Sequence, residues 1–228
     1  MAKGKLYGVS VGPGDPELIT IKAAKIIMAA NVIAFAGGSA ESCTAYKIAV
    51  KAIPDIEKKP SLALALPMTK DMAALKKSRS SAATSIAGCL DKGQDVAYLT
   101  LGDVSIYSTY TYLQDILRAS GYDTEMISGV PSFCAAAARL GTAIASADEQ
   151  IHIIPAVYGP SDGITYPGTR IYMKSAGRLA EVRQALMQTG DNVYMAENCG
   201  MEGERLFYSA EEIDDGAGYY SVMIVREK

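Results

Sequence analysis

Hydrophobic and polar positions change from a strand pattern to a helical pattern within the first thirty residues. Residues 5–11 form a short apolar run that is typical of a strand. The Pro-Gly-Asp-Pro break at 13–16 predicts a turn, with Asp15 as N-cap of a helix that extends over 16–30. A second apolar run at 31–36 completes a β-α-β unit, which predicts parallel strands and a right-handed crossover.

The same strand, loop and helix order recurs further along the chain. The patterns predict helices at 69–92, 106–119 and 133–140 and strands at 95–101 and 124–127. The later part is richer in strands, which are predicted at 151–154, 169–173, 192–196, 205–208 and 219–225. We therefore expect an α/β protein with a domain boundary near Gly121, which gives domains at 1–120 and 121–228.

Composition and charge exclude several classes of protein. Of the 228 residues, 49% are hydrophobic and 21% are charged, which is typical of a globular chain rather than a disordered one. The net charge of -3 provides no overall positive field for nucleic acid. No apolar run is long enough to span a bilayer, so we expect a cytoplasmic protein that binds neither nucleic acid nor membrane.

The soft metal ligands are few and far apart. One histidine, His152, is present, and no Cys-x-x-Cys spacing occurs among the four cysteines, at positions 43, 89, 134 and 199. Widely spaced thiols of this kind are typical of buried cysteines in a reducing compartment. We expect no catalytic metal site.

Two catalytic or binding motifs are matched in part near the N-terminus. The segment 8–12 reads Gly-Val-Ser-Val-Gly, the nucleophile elbow of serine hydrolases, but Ser10 lies within the strand pattern rather than at a strand-to-helix turn. The same glycines lack the Gly-Lys-Ser/Thr of a phosphate loop. Two interpretations remain, a β-α turn without ligand or a loop whose backbone and helix N-terminus approach an anionic group.

Two further loops lie where a parallel sheet binds ligands. Gly102 and Asp103 follow the strand at 95–101, and the carboxylate either contacts a ligand hydroxyl or ammonium group or caps the next helix. Residues 129–132 read Gly-Val-Pro-Ser, where Ser132 has the same two interpretations. Spacing leaves both alternatives open.

The segments 9–20, 100–109 and 129–133, in this order and spacing, resemble the tetrapyrrole methylase family of S-adenosylmethionine-dependent methyltransferases. The strand at 219–225 is similar to the last strand of that family. Within the family, the resemblance is greatest to the enzymes that methylate C-20 of precorrin-2 or cobalt-factor II in cobalamin synthesis. It rests on three short segments, Tyr-Ser-Thr at 107–109, Pro67-Met68 and Met173-Lys174.

The resemblance implies a homodimer of two-domain subunits, each domain a mixed, mostly parallel sheet flanked by helices, with S-adenosylmethionine in the cleft between the domains and a tetrapyrrole beside it. The residues that align with cofactor contacts are Pro13, Gly102, Asp103, Val104, Ile106, Tyr107, Pro131, Ser132, Met173, Cys199 and Tyr220. Those expected to face the substrate are Gly12, Gly14, Asp15 and Lys174. Val104 replaces the proline that is common in the family after Gly-Asp.

Positioning is the main catalytic task that such a reaction sets, because the sulfonium methyl group is already activated and a meso carbon of a reduced tetrapyrrole is nucleophilic. Tyr107 and Asp103 are candidates to remove or relay the proton of the methylated carbon. Cations expected to bind the substrate carboxylates are Arg139, Lys174, Arg178 and Arg205. The alternatives are methylation of uroporphyrinogen III, another precorrin, a diphthine intermediate or ribosomal RNA, or a cofactor-binding module without turnover.

Overall fold

The computed structural model describes residues 2–156, 163–174, 177–214 and 216–228. Two compact units divide the chain, Met1–Pro131 and Ser132–Lys228, and each contains its own five-stranded sheet. The boundary lies after the one predicted near Gly121, because the strand at Thr124–Ile127 pairs with the first strand of the chain.

The sheet of the first unit is parallel throughout. Its strands are β1 (Leu6–Ser10), β2 (Val32–Ala36), β3 (Ser61–Leu64), β4 (Val96–Thr100) and β5 (Thr124–Ile127). They lie in the order β3-β2-β4-β1-β5, and every adjacent pair is parallel. All five carboxyl ends therefore meet at one edge of the sheet.

Helices cover both faces of this sheet, namely α1 (Ile21–Ala29), α2 (Thr44–Ala52), α3 (Met72–Leu90) and α4 (Tyr110–Ala119). Alternate residues of one strand point into different cores: Ile33 packs with α1 and α2, and Val32 packs with α3 and α4. Because both faces are buried, the strands read as continuous apolar runs rather than as an alternation. The pattern did not predict α2 or β3.

The first predicted helix begins later than its pattern suggests. Pro16–Leu18 forms a single 3-10 turn, which Asp15 caps by accepting a hydrogen bond from the Glu17 amide at 2.9 Å. Ile19 is extended, and α1 starts only after Thr20, whose hydroxyl accepts from the Ala23 amide. The extended residue breaks the helix that was predicted over 16–30.

The sheet of the second unit is mostly antiparallel, which corrects the expectation of mostly parallel sheets in both. Its elements are α5 (Ser132–Leu140), β6 (Ile151–Pro155), β7 (Thr169–Met173), α6 (Leu179–Leu186), β8 (Asn192–Glu197), β9 (Arg205–Phe207) and β10 (Ser221–Arg226). The order is β6-β7-β10-β8-β9, and only β6 and β7 pair in parallel. The β8–β9 connection is too short for the crossover that parallel pairing needs.

Within the described ranges, no helix combines the length and the apolar character needed to cross a bilayer.

Candidate functional site

Three loops meet at the carboxyl edge of the first sheet. They follow β1, β4 and β5 and comprise residues 11–15, 101–109 and 128–131. The first two are joined by a hydrogen bond from the Gly102 amide to the Gly12 carbonyl at 2.8 Å. Ligands of parallel α/β sheets bind outside this edge, so the edge is the candidate site.

Ser10, at the end of β1, ties the other two loops to the sheet. Its side chain is fully buried, donates to the Ile127 carbonyl at 2.7 Å and accepts from the Val104 amide at 2.8 Å. A hydroxyl held in this way by two backbone groups is not exposed for attack on a substrate. Ser10 is therefore part of the framework of the edge, and the nucleophile-elbow interpretation is wrong.

Gly129 fits against Ser10 with no room for a side chain. A Cβ atom at Gly129 would lie 2.4 Å from the Ser10 Cβ and 3.1 Å from the Gly102 carbonyl oxygen. Gly12 and Gly102 have φ values of 75° and 71°, in the left-handed region that favours glycine. The edge is thus shaped by close approaches of backbone to backbone.

Asp103 holds the loop after β4 in place. The residue is buried, and its carboxylate accepts from the amide and hydroxyl of Ser105 and from the Gly129 amide at 2.7 Å. Burial alone would raise the pKa of Asp103, but the hydrogen bonds from Ser105 and Gly129 outweigh it and lower the pKa. The carboxylate stays ionised with both oxygens engaged by protein donors, which suits a positioning residue better than a base.

Tyr107 lies in the same loop in an uncommon conformation. Its φ is 50°, a left-handed value that is rare for a residue with a side chain, and 43% of the residue is exposed. Burial raises the pKa of the hydroxyl, so it is neutral at physiological pH. Strained residues of this kind cluster at functional sites.

The other predicted residues of this unit take different positions. Pro13 and Gly14 are buried, Ile106 and Pro131 are half-buried, and Asp15 caps the 3-10 turn. Val104 is 1% exposed and packs in the core between the sheet, α3 and α4. The Val104 amide donates a hydrogen bond to the Ser10 hydroxyl, so the side chain and the amide of Val104 both make contacts within the protein.

The predicted residues of the second unit gather at one edge of its own sheet. Met173 ends β7 opposite Val222 of β10. Tyr220 precedes β10, and its carbonyl accepts from the Asn198 amide, which follows β8, at 2.9 Å. Lys174 and Asn198 have φ values of 58° and 50°. The strand ends therefore bring Met173, Lys174, Cys199 and Tyr220 to the same edge, while Ser132 begins α5.

Three of the four predicted substrate cations form ion pairs within the protein. Arg139 pairs with Glu204, Arg178 with Glu181, and Arg205 with both Glu197 and Asp214. Lys174 is half-buried, and burial lowers its pKa. The paired arginines would have to break these contacts to reach a substrate.

Sequence reasoning missed the roles of Ser10 and Gly129. The contact between them joins positions more than one hundred residues apart, and spacing along the chain carries no signal for it. Within the described ranges, no group of three or more His, Cys, Asp and Glu side chains is placed to hold a metal ion.

Comparison with known proteins identifies relatives along almost the whole chain. The family model described as Tetrapyrrole (Corrin/Porphyrin) Methylases matches residues 5–214. A Sinorhizobium protein named precorrin-2 C(20)-methyltransferase is 30% identical, over 97% of this chain and 95% of its own. A Salmonella typhimurium protein named cobalt-precorrin-2 C(20)-methyltransferase is 27% identical, over 99% and 97% of the two chains.

A solved methyltransferase structure shares the fold. The uroporphyrin-III C-methyltransferase of Thermus thermophilus, solved in complex with S-adenosylhomocysteine, superposes with a TM-score of 0.70 at 19% identity. The match covers 98% of each chain. The loops at the carboxyl edge, the family match and this shared fold agree, and the chain belongs to the tetrapyrrole (corrin/porphyrin) methylase family.

Proposed function

We propose that the protein transfers a methyl group from S-adenosylmethionine to C-20 of precorrin-2 or its cobalt form, in cobalamin biosynthesis. The observation that carries this proposal is the similarity, along nearly the whole chain, to the Sinorhizobium and Salmonella proteins named for that reaction. One name specifies a cobalt-free substrate and the other a cobalt-containing one, so the proposal includes both. Methylation of uroporphyrinogen III and a role without turnover are less favoured.

The loops at the carboxyl edge of the first sheet fit a cationic methyl donor. Residues 101–109 and 127–131 contain no lysine or arginine, and their single charged side chain is Asp103. The lowered pKa keeps that carboxylate negative, so the local field favours a sulfonium rather than repelling it. When bound, S-adenosylmethionine would supply a methyl group, which the nucleophilic carbon would take up by displacement at the methyl carbon as the methyl–sulfur bond breaks and S-adenosylhomocysteine leaves.

The residues of the edge hold the loops in position rather than act as acids or bases. Ser10 and Asp103 fix the backbone of the loops, so binding and alignment need little rearrangement. Glycines at 12, 102 and 129 allow the close approaches that shape the loops of the edge. Tyr107 is the candidate that relays the proton lost from C-20 to solvent, because its hydroxyl is neutral and the residue is partly exposed.

The remaining contacts are part of the same proposal. Met173, Cys199 and Tyr220 are proposed to contact the donor, and Lys174 and the loop at 12–15 the substrate. A cytoplasmic location and a homodimer are also proposed, and sedimentation of the purified protein tests the second. These assignments are independent of the roles of Ser10 and Asp103.

Anaerobic incubation with S-adenosylmethionine and either precorrin-2 or cobalt-precorrin-2 tests the reaction. The expected result is a single added methyl group, detected by mass and placed at C-20 by NMR, with conversion of one substrate dominating. Addition at another carbon, or no transfer from a donor that binds, would contradict the assignment. A Tyr107→Phe variant should lower kcat without changing the dissociation constant of S-adenosylhomocysteine.

A further inference from the structure

One face of α3 is buried in its second half and open in its first. Ala83, Ile86 and Leu90 are buried against the sheet and α4. At 3.6 residues per turn, Met72 and Lys76 lie within about 40° of the same line along the helix. Met72 is nevertheless 72% exposed, and Lys76 is exposed as well. The open half of this face therefore presents one apolar side chain, Met72, one turn from a cation, Lys76.

A stacked arginine continues this open face. The Arg79 guanidinium lies 3.5 Å from the ring centroid of Tyr112, which is in the first turn of α4 and is 47% exposed. A guanidinium stacked on a ring is held in place while its in-plane N–H groups remain oriented for a carboxylate. We call Met72, Lys76, Arg79 and Tyr112 the α3–α4 surface.

The α3–α4 surface contains two cations, Lys76 and Arg79. Lys70 precedes the helix, Lys77 lies about 100° around it from Lys76, and the exposed acid Asp115 lies one turn after Tyr112 in α4. The Asp71 carboxylate is used as the cap of α3, where it accepts from the amides of residues 73 and 74 at 2.9 and 3.1 Å. Among the described residues, no carboxylate pairs with Lys76 or Arg79. The surface is therefore complementary to an anion with an apolar body.

The position of the surface selects between possible occupants. α3 follows β3 and α4 follows β4, so both helices begin at the carboxyl edge of the first sheet, where the glycine loops lie. A second copy packed with its two-fold axis through the centre of this surface would place the Lys76 and Arg79 cations close to their own counterparts, which is unfavourable. A small anionic ligand avoids that repulsion.

We propose that the α3–α4 surface binds the tetrapyrrole, with Lys76 and Arg79 contacting its peripheral carboxylates and Met72 and Tyr112 packing on the macrocycle. This inference rests on the proposed function for the identity of the ligand. It adds a set of substrate contacts to those at 12–15 and Lys174. The contacts are ionic and exposed, so they weaken as salt concentration rises.

A matched pair of variants tests the proposal. Lys76→Glu reverses a charge on the surface, and Lys77→Glu makes the same change at the next residue, about 100° further around the helix. Binding of precorrin-2 is measured anaerobically by fluorescence with S-adenosylhomocysteine present. Lys76→Glu should raise the dissociation constant about tenfold, since a reversal removes an attraction and adds a repulsion. Lys77→Glu should change it less than threefold, and neither variant should alter affinity for S-adenosylhomocysteine.

Other outcomes separate this inference from the proposed function. Equal effects of the two variants on precorrin-2 binding, or no binding by the wild type, would contradict the proposal that the α3–α4 surface binds the tetrapyrrole. A change in sedimentation coefficient with Lys76→Glu alone would assign the surface to contacts between copies, and loss of binding to phosphatidylserine vesicles would assign it to a membrane. Wild-type protein that binds precorrin-2 without methylating C-20 would instead overturn the proposed reaction and leave the binding comparison intact.

Discussion

The sheets of the two units are held by different kinds of contact. In the first unit, parallel strands end in glycine loops that Ser10 and Asp103 bind through backbone groups. In the second, a mostly antiparallel sheet contains buried charges, with Arg170 paired to Asp191 and Glu197 paired to Arg205. Hydrogen bonds to backbone groups and the close fit of Gly129 against Ser10 therefore hold the loops of the first unit, and charge pairing is prominent in the second.

The largest effect on stability is expected in the second unit. Arg170 is 3% exposed and bonds Asp191 at 2.7 Å, so Asp191→Ala leaves a buried cation without its carboxylate. Removing one partner of a buried pair costs about 3–5 kcal/mol. Hydrogen exchange of β7 and β8 measures the loss within this unit.

The matched control is Asp214→Ala, which removes a carboxylate from an exposed pair with Arg205. Exchange of β7 and β8 should change little in that variant. If Asp191→Ala is as mild as the control, charge pairing does not stabilise the second unit as described.

A smaller effect, confined to the first unit, is expected from Gly129→Ala. The added Cβ would lie 2.4 Å from the Ser10 Cβ, so the loops must move apart. Overpacking of this kind costs about 1–3 kcal/mol. Affinity for S-adenosylhomocysteine, measured by calorimetry, should fall about tenfold, which corresponds to 1.4 kcal/mol.

Two variants isolate the steric cause. Gly129→Ala should cost less affinity in a Ser10→Gly background than in the wild type, because the colliding atom is absent there and the loss of the Ser10 hydroxyl is common to both members of that comparison. Gly88→Ala, in the helix α3 with nothing within 4 Å of the new Cβ, should leave binding unchanged. An equal cost of Gly129→Ala in the two backgrounds would contradict the fitted contact.

The smallest difference in stability between the two units is expected when the pH is lowered. Burial would raise the pKa of Asp191 and Glu197, but hydrogen bonds, chiefly from Arg170 and Arg205, outweigh it and lower both. The pKa is also lowered at Glu149, Glu204 and Asp214 of this unit and at Glu41, Asp103 and Glu125 of the first.

A carboxyl group whose pKa is lower in the folded state stabilises fully above its unfolded value, near 4, and loses that contribution as pH falls through the folded value. More such groups lie in the second unit, so β7 and β8 should lose exchange protection at a higher pH than β1 and β4. Samples held between pH 5 and 2.5 and pulse-labelled at a common pH give the order. The opposite order would contradict the assignment of charge pairing to the second unit.

The sequence predicted the strands of both units well and the sheet of the second poorly. Apolar runs mark strands whatever their direction, so β5 and β7 were predicted at their observed bounds. Strand direction depends on which segments pair, and the β-α-β pattern at the N-terminus did not extend to β8, β9 and β10. The segment α2–β3 was missed because its apolar run is short and interrupted by charged residues.

The candidate site was predictable in its loops and not in its contacts. Gly102 and Asp103 were recognised because they follow a strand at the ligand-binding edge and resemble a family motif. The framework role of Asp103 depends on Gly129, and that of Ser10 depends on Val104 and Ile127. Such pairings arise only when the parallel strands bring their ends together.

The central claim is that the loops at the carboxyl edge of the first sheet bind the methyl donor. Hydrogen exchange with and without S-adenosylhomocysteine tests it in the wild type and in Asp103→Asn. We predict protection at 101–109 and 128–131 on binding, and about tenfold more ligand for the same protection in the variant, because an amide places a donor against the Ser105 or Gly129 amide. Ligand that binds without protecting these loops would contradict the account.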